Sequence, residues 1–264
     1  MKTKTLAIFN LLAFAFHLTF TSLVQMGKLS KMDMAQTSAK YDTVFAPAGI
    51  TFSIWGIIYL ALIAFSIYHL YAAFFKANND YTNLITNSLG VLFIVNNVAT
   101  AFWLLAWLNE ELLISVILML IQLVSLILIH IRIYALNKSP KFSSQLFTHF
   151  PLSIYFGWIS IATIANISAY LKSINWTGGI SESLWVIILI AIAALITLFM
   201  VLIRRNIPFG LVVLWALYGI VLKRQQVSAI EYESVIQASF AAFLVVFIAL
   251  IIRLSKVVKP AKEF

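Results

Sequence analysis

Residues 46–59 read APAGITFSIWGIIY and open one of about eight long apolar stretches in the chain. Pro47 stands at the start of the stretch, where a helix tolerates a residue that lacks a backbone N–H. Thr51, Trp55 and Tyr59 follow at intervals of four residues, so they share one face of the predicted helix. That face carries aromatic rings with polar tips in a segment that is otherwise mostly apolar.

The composition of the whole chain is typical of a membrane protein. Of its 264 residues, 62% are hydrophobic and 10% are charged, and the mean hydropathy is +1.00. Stretches of about 20 apolar residues are long enough to cross a bilayer as α-helices. A membrane β-barrel needs alternating apolar and polar residues, and continuous runs such as 112–129 do not alternate. The sequence therefore predicts an all-α polytopic membrane bundle.

We expect about eight transmembrane helices. The first is predicted to be an uncleaved span, because its apolar stretch is long for a signal peptide and no small-x-small cleavage site stands out near Gln25. The long connection 27–45 is predicted to be an outer loop or a short surface helix. The eight predicted helices are 4–26, 48–75, 83–108, 111–136, 149–173, 183–203, 206–223 and 235–257.

Positive charge is unevenly divided between the two ends of these helices. Six of the 18 Lys and Arg residues fall in segments predicted to be outside, and the other twelve fall on the side of the N-terminus. Cytoplasmic segments of membrane proteins carry the excess of Lys and Arg. The bias predicts that both termini are cytoplasmic in a multi-pass protein of the cell membrane, plasma or inner. The six outer residues are Lys28, Lys31, Lys40, Lys172, Lys223 and Arg224.

Acidic residues are absent from the middle of every predicted helix. Ion-coupled transporters need an ionisable group at membrane depth, and intramembrane metal enzymes need carboxylate pairs or His and Cys clusters. The chain has no cysteine, and none of its four histidines has another histidine or an acid three or four residues away. The pattern argues against ion coupling and predicts no catalytic or metal-binding residue. His17, in the middle of the first helix, is interpreted as hydrogen-bonded packing.

The tryptophans form two groups. Trp176 and Trp185 lie at the ends of predicted helices, where anchoring at the membrane interface explains them. Five others lie inside predicted helices, and rings in such positions suit a flat apolar ligand with a few polar edges. The alternative, that these rings only fill the core of the bundle, stays open. The five are Trp55, Trp103, Trp107, Trp158 and Trp215.

Amides and hydroxyls also occur at membrane depth. Because exposing them to hydrocarbon costs free energy, they are expected to face other helices or a cavity. The simplest interpretation is interhelical hydrogen bonding, at about 0.6 kcal/mol each. These residues are Asn96, Asn97, Thr100, Gln122, Ser125, Ser160, Thr163, Asn166 and Ser168.

Three separated segments resemble the TspO/MBR family of tryptophan-rich sensory proteins. Segment 46–59 resembles the family's first core helix, 100–107 (TAFWLLAW) its second, and 151–166 (PLSIYFGWISIATIAN) its fourth. In the second segment Thr100 stands where the family usually has Asn. Segment 213–220 (VLWALYGI) resembles longer bacterial relatives that carry the same extension.

The resemblance implies a five-helix core at 48–203. An additional helix and outer loop, 1–47, precede it, and two additional helices and a basic cytoplasmic tail, 204–264, follow it. The resemblance also implies a sensor or receptor that binds a tetrapyrrole- or sterol-like lipophile, such as a porphyrin or haem, without a required cofactor. Pro47 and Pro151 are expected at helix starts. The expected ligand-binding residues are Trp55, Tyr59, Trp103, Trp107, Tyr155, Trp158 and Asn166.

Two other functions stay open from the sequence. A facilitator-type transporter of a small neutral or amphipathic molecule is compatible with polar residues at depth and no buried charge. An enzyme is not expected, although slow tetrapyrrole chemistry would need no carboxylate pair. The expected partners are membrane lipids and a lipophilic small molecule, with a homodimer as one open assembly and no nucleic acid.

Overall fold

The computed structural model describes residues 2–136 and 140–258, with the side chains of 257 and 258 left out. Short 3₁₀ or π segments at Gly49–Ser53, Gln145–His149 and Phe199–Ile203 adjoin α3, α8 and α9. The α-helices of these residues are α1 Thr3–Gln25, α2 Met34–Lys40, α3 Ile54–Phe75, α4 Tyr81–Leu89, α5 Leu92–Leu108, α6 Leu112–Ala135, α7 Phe142–Ser144, α8 Phe150–Ser173, α9 Glu182–Leu198, α10 Ile207–Ser228 and α11 Glu233–Val258.

The predicted all-α membrane bundle is confirmed. Within 2–136 and 140–258, seven helical stretches are long and apolar enough to cross a membrane, and α4 with α5 make an eighth if their bent pair is one span. The short connection helix expected in 27–45 is α2. The predicted seventh helix, 206–223, is longer than expected, because α10 continues to Ser228. Lys138 and the basic tail predicted beyond residue 258 lie outside the described residues.

The third predicted helix, 83–108, is not continuous. The chain bends by 56° between the end of α4 and the start of α5. Gly90 lies at the bend with φ of 54° and ψ of −129°, a backbone conformation that glycine adopts readily because it has no Cβ. The prediction of one straight helix is wrong, because a single glycine within an apolar run is only a weak signal for a break.

Polar side chains cap the N-termini of several helices. The carboxylate of Asp33 accepts a hydrogen bond from the backbone of Gln36, and Asp80 accepts one from the backbone N–H of Thr82. Such caps satisfy amides that have no partner inside the helix. Asp33 and Asp80 therefore have a structural role at a helix start.

The chain divides into two compact units. The first consists of Met1–Tyr41 and Trp55–Leu152, and in it α5 packs against α1 and α6. The second consists of Asp42–Ile54 and Ser153–Phe264, and in it α11 packs against α9 and α10. The predicted five-helix core, 48–203, contributes residues to both units.

Candidate ligand-binding site

An aromatic cluster, which we define as Trp55, Tyr59 and Trp103, lies in the first unit. The ring centroids of Trp55 and Tyr59 are 5.3 Å apart, and the Trp55 ring stacks on Trp103 at 6.5 Å with 30° between the planes. The first two residues are one turn apart on α3 and the third is on α5, so the ring contacts join two helices. Trp107, one turn beyond Trp103, is also buried, and its ring centroid lies 6.3 Å from that of Tyr41.

Helix α1 adds a histidine to the aromatic cluster. The His17 ring meets Tyr59 edge-on, with centroids 5.5 Å apart. Its Nδ1 lies 3.0 Å from Oδ1 of Asn97, whose amide nitrogen donates to the backbone oxygen of Phe93. The Asn97 oxygen is therefore an acceptor, so Nδ1 of His17 carries the proton and Nε2 is left as an acceptor.

The Nε2 atom of His17 is buried and has no hydrogen-bond partner in the part of the chain that the structure describes. The expectation that His17 is hydrogen-bonded is confirmed for its other nitrogen. No ligand role for His17 was predicted, because a lone histidine inside a helix was interpreted as hydrogen-bonded packing. The available signal was a histidine at membrane depth.

The other predicted binding residues lie on α8 in the second unit. Tyr155, Trp158 and Asn166 are all buried, and Phe52 meets the Trp158 ring edge-on at 5.7 Å between centroids. Pro151 is the second residue of α8, directly after a π segment, whereas Pro47 precedes the 3₁₀ turn that leads into α3. The ligand roles of the three α8 residues stay predictions.

Hydrogen bonds among four of the polar residues at membrane depth connect α5 to α6. The Asn96 amide donates to the backbone oxygen of Gln122 at 3.0 Å and to Oγ of Ser125 at 2.8 Å. The hydroxyl of Thr100 donates to Oε1 of Gln122 at 3.0 Å. The prediction of interhelical hydrogen bonds is confirmed for these four residues.

A cavity of about 400 Å³ lies in the second unit, between the end of α8 and the start of α9. Trp176 and Trp185 line it and pack against each other, with ring centroids 5.5 Å apart. Lys172 and Glu182 also line it and form an ion pair at 3.5 Å. The two tryptophans lie at helix ends as expected, but the sequence analysis did not predict the cavity.

Segment 42–53, which we call the strap, belongs to the second unit and contacts its helix α10 at several points. The carboxylate of Asp42 pairs with Lys223 and, at 3.6 Å, with Arg224. The sequence places both basic residues in the outer segment at the end of the predicted helix 206–223, and in the structure both lie inside α10, which continues to Ser228. The Arg224 side chain is only 2% exposed, and the ring of Tyr232 lies 5.0 Å from its guanidinium carbon.

The middle of the strap approaches α10 closely at Gly219. The backbone N–H of Ala48 donates to the backbone oxygen of Gly219 at 2.9 Å, and the Trp215 indole N–H donates to the backbone oxygen of Thr51, also at 2.9 Å. A Cβ at Gly219 would overlap Oγ1 of Thr51 and lie 3.0 Å from Cβ of Pro47. Trp215 and Gly219 are one helical turn apart, so one face of α10 holds the strap.

A family model described as TSPO-like protein matches residues 7–252. The chain belongs to the TSPO-like protein family. The match includes α1, α10 and most of α11 as well as the predicted five-helix core. No curated protein and no solved structure gives a significant match to the chain. The resemblance based on separated motifs is confirmed at the level of the family.

The chemistry available in this TSPO-like protein follows from side chains that are buried, such as Trp103 and His17, or half-buried, such as Trp55 and Tyr59. Its aromatic cluster offers indole and phenol rings beside an imidazole nitrogen that can accept a hydrogen bond. Across 2–136 and 140–258, no group of three or more His, Asp or Glu residues is placed to hold a metal ion. The TSPO-like protein is a multi-pass integral membrane protein, and this aromatic cluster is its candidate binding site.

Proposed function

We propose that this TSPO-like protein binds a tetrapyrrole- or sterol-like lipophile at the aromatic cluster and acts as a sensor or receptor. The observation that carries the proposal is the stacking of Trp55 on Trp103 with Tyr59 and the buried His17 beside them. Trp107, on the same helix, extends the proposed site, and no required cofactor is part of it.

The cluster supports this ligand class through its shape and its neutrality. Offset aromatic pairs contribute about 0.5–1.5 kcal/mol beyond the area they bury, and a flat ring system can replace one partner of such a pair. The Nε2 atom of His17 is an acceptor for a pyrrole N–H or a hydroxyl. Tyr155, Trp158 and Asn166 are proposed as further ligand residues on the basis of the family resemblance.

The proposed setting is the cell membrane, with both termini in the cytoplasm, as the charge bias predicts. The proposed partners are membrane lipids and a lipophilic small molecule. The proposed assembly is a homodimer, which a measurement of the oligomeric state in detergent would test. The facilitator alternative is separated from a receptor by flux: saturable entry of a candidate solute into proteoliposomes would favour transport.

Replacing Trp55 and Trp103 together with leucine is expected to weaken protoporphyrin IX binding about tenfold, since two stacking surfaces are lost at about 0.7 kcal/mol each. Binding is measured in detergent by quenching of the remaining tryptophan fluorescence. Trp176→Phe, which removes an indole from the second unit, is the matched control and should bind like the parent protein. An unchanged Kd in a folded double variant would reject this site.

A further inference from the structure

We propose that the cavity between α8 and α9 is a second ligand site, separate from the aromatic cluster, and that it takes a neutral amphiphile with a hydroxyl-bearing head. A monoacylglycerol has this chemistry. The proposal rests on three observations: the size of the cavity, its largely apolar walls, and the Lys172–Glu182 ion pair that the strap holds at its rim.

The cavity has the dimensions and walls of a small-molecule site. Its volume of about 400 Å³ lies within the range of roughly 300–1,000 Å³ that is usual for ligand pockets. The wall is formed largely by aliphatic side chains of α8 and α9 and by the paired indoles of Trp176 and Trp185. The aliphatic residues that line the cavity from these two helices are Ile164, Ile167, Leu171, Val186 and Leu189.

The polar rim is fixed in place by the strap. The Lys172 ammonium donates to the backbone oxygen of Asp42 at 2.7 Å, and the backbone N–H of Val44 donates to Oε1 of Glu182 at 3.1 Å. Thr43, between these two anchoring residues, lines the cavity itself. Both members of the Lys172–Glu182 ion pair are thus hydrogen-bonded to the strap, Lys172 at Asp42 and Glu182 at Val44.

The charges at the rim select a neutral head. Lys172 and Glu182 are each about half exposed, so both can meet a ligand as well as each other. An anionic head that pairs with the Lys172 ammonium would also be repelled by the Glu182 carboxylate, which lies 3.5 Å from that ammonium. A cationic head that pairs with Glu182 would likewise be repelled by Lys172. A hydroxyl donates to the carboxylate and accepts from the ammonium, so it leaves the ion pair intact.

The position of the cavity along the helices favours an amphiphile over a wholly apolar molecule. Lys172 is near the end of α8 and Glu182 is the first residue of α9, where the membrane interface is expected. Ile164 lies eight residues deeper on α8, which is about 12 Å along the helix. A molecule that fills the cavity therefore has its head among polar groups and its body among aliphatic side chains.

The test is binding of tritiated 1-monooleoylglycerol to the protein in phosphatidylcholine nanodiscs, measured by scintillation proximity. Saturable binding is expected, with unlabelled oleate, which has the same chain and an anionic head, competing at least tenfold more weakly. Equal competition by the two compounds would overturn the assignment of a neutral head. This comparison uses the unmodified protein, so it holds even if a variant does not fold.

Ser168→Phe should abolish the saturable component, because Ser168 lines the cavity and a phenyl ring would occupy it. Leu195→Phe is the matched control, since it enlarges a side chain of α9 that is 66% exposed. Retained binding in a folded Ser168→Phe variant would overturn the location. The Trp55/Trp103 leucine double variant should still bind monooleoylglycerol, and loss of binding there would overturn the independence of the two sites.

Discussion

Replacing Gly219 with alanine is expected to lower the free energy of unfolding by about 2 kcal/mol, the usual cost of overpacking a tightly packed contact. The new Cβ would overlap Oγ1 of Thr51 and lie 3.1 Å from its Cβ. Thr51 is only 1% exposed and the strap is hydrogen-bonded to the same turn of α10, so neither side can move away freely. Unfolding is followed by circular dichroism in detergent with increasing SDS.

Gly56→Ala is the matched control for this prediction. Gly56 is inside α3, and a Cβ there would meet no atom within 4 Å, so the better helix propensity of alanine should leave stability unchanged or raised. Combining Gly219→Ala with Thr51→Ala removes the overlapping hydroxyl and should restore about half of the loss. Equal stability of the two single alanine variants would show that the close approach of the strap to Gly219 does not affect the free energy of unfolding.

Replacing Asp42 with asparagine is expected to cost about 3 kcal/mol, because it leaves the buried Arg224 guanidinium without its carboxylate. The ring of Tyr232, at 5.0 Å from the guanidinium carbon, compensates for only part of that charge. The change also removes the closer ion pair that Asp42 forms with Lys223, whose side chain is 23% exposed. The same SDS titration measures the effect.

Glu110→Gln provides the comparison with an exposed pair. Lys40 and Glu110 form an ion pair in which the Lys40 side chain is 50% exposed, so removing the carboxylate should leave the unfolding curve unchanged. Adding Arg224→Met to Asp42→Asn removes the uncompensated charge and should recover most of the stability. A full loss that persists in the double variant would mean that the strap depends on Asp42 in another way.

The helices could be predicted from the sequence because each one depends on a local property. The first predicted helix, 4–26, differs from Thr3–Gln25 by one residue at each end, since an apolar stretch of membrane length has few alternatives to a helix. The bend at Gly90 depends on the positive φ of one residue, which hydropathy does not report. The extension of α10 to Ser228 was missed because Lys223 and Arg224 were counted in the outer segment at the end of the predicted helix.

The candidate sites were predicted only where their residues carry a local signal. The Trp55–Tyr59 pair follows from a four-residue spacing, and Trp103 is one of the five tryptophans that lie inside predicted helices. His17 and the α8–α9 cavity were missed, because they depend on which helices lie side by side. The strap contacts were missed for the same reason: Asp42 and Lys223 are 181 residues apart in the chain, and no periodicity connects them.

The strap and α10 are far apart in the sequence, and this distance along the chain sets the order in which they are synthesised. Asp42 leaves the ribosome 181 residues before Lys223, a delay on the order of 10–40 s at ordinary rates of translation. Throughout that interval the strap has no α10 against which to fold. The motif that begins the most recognisable part of the sequence is therefore among the last to reach its final contacts, and a nascent chain halted before α10 would expose it to the quality-control machinery of the membrane.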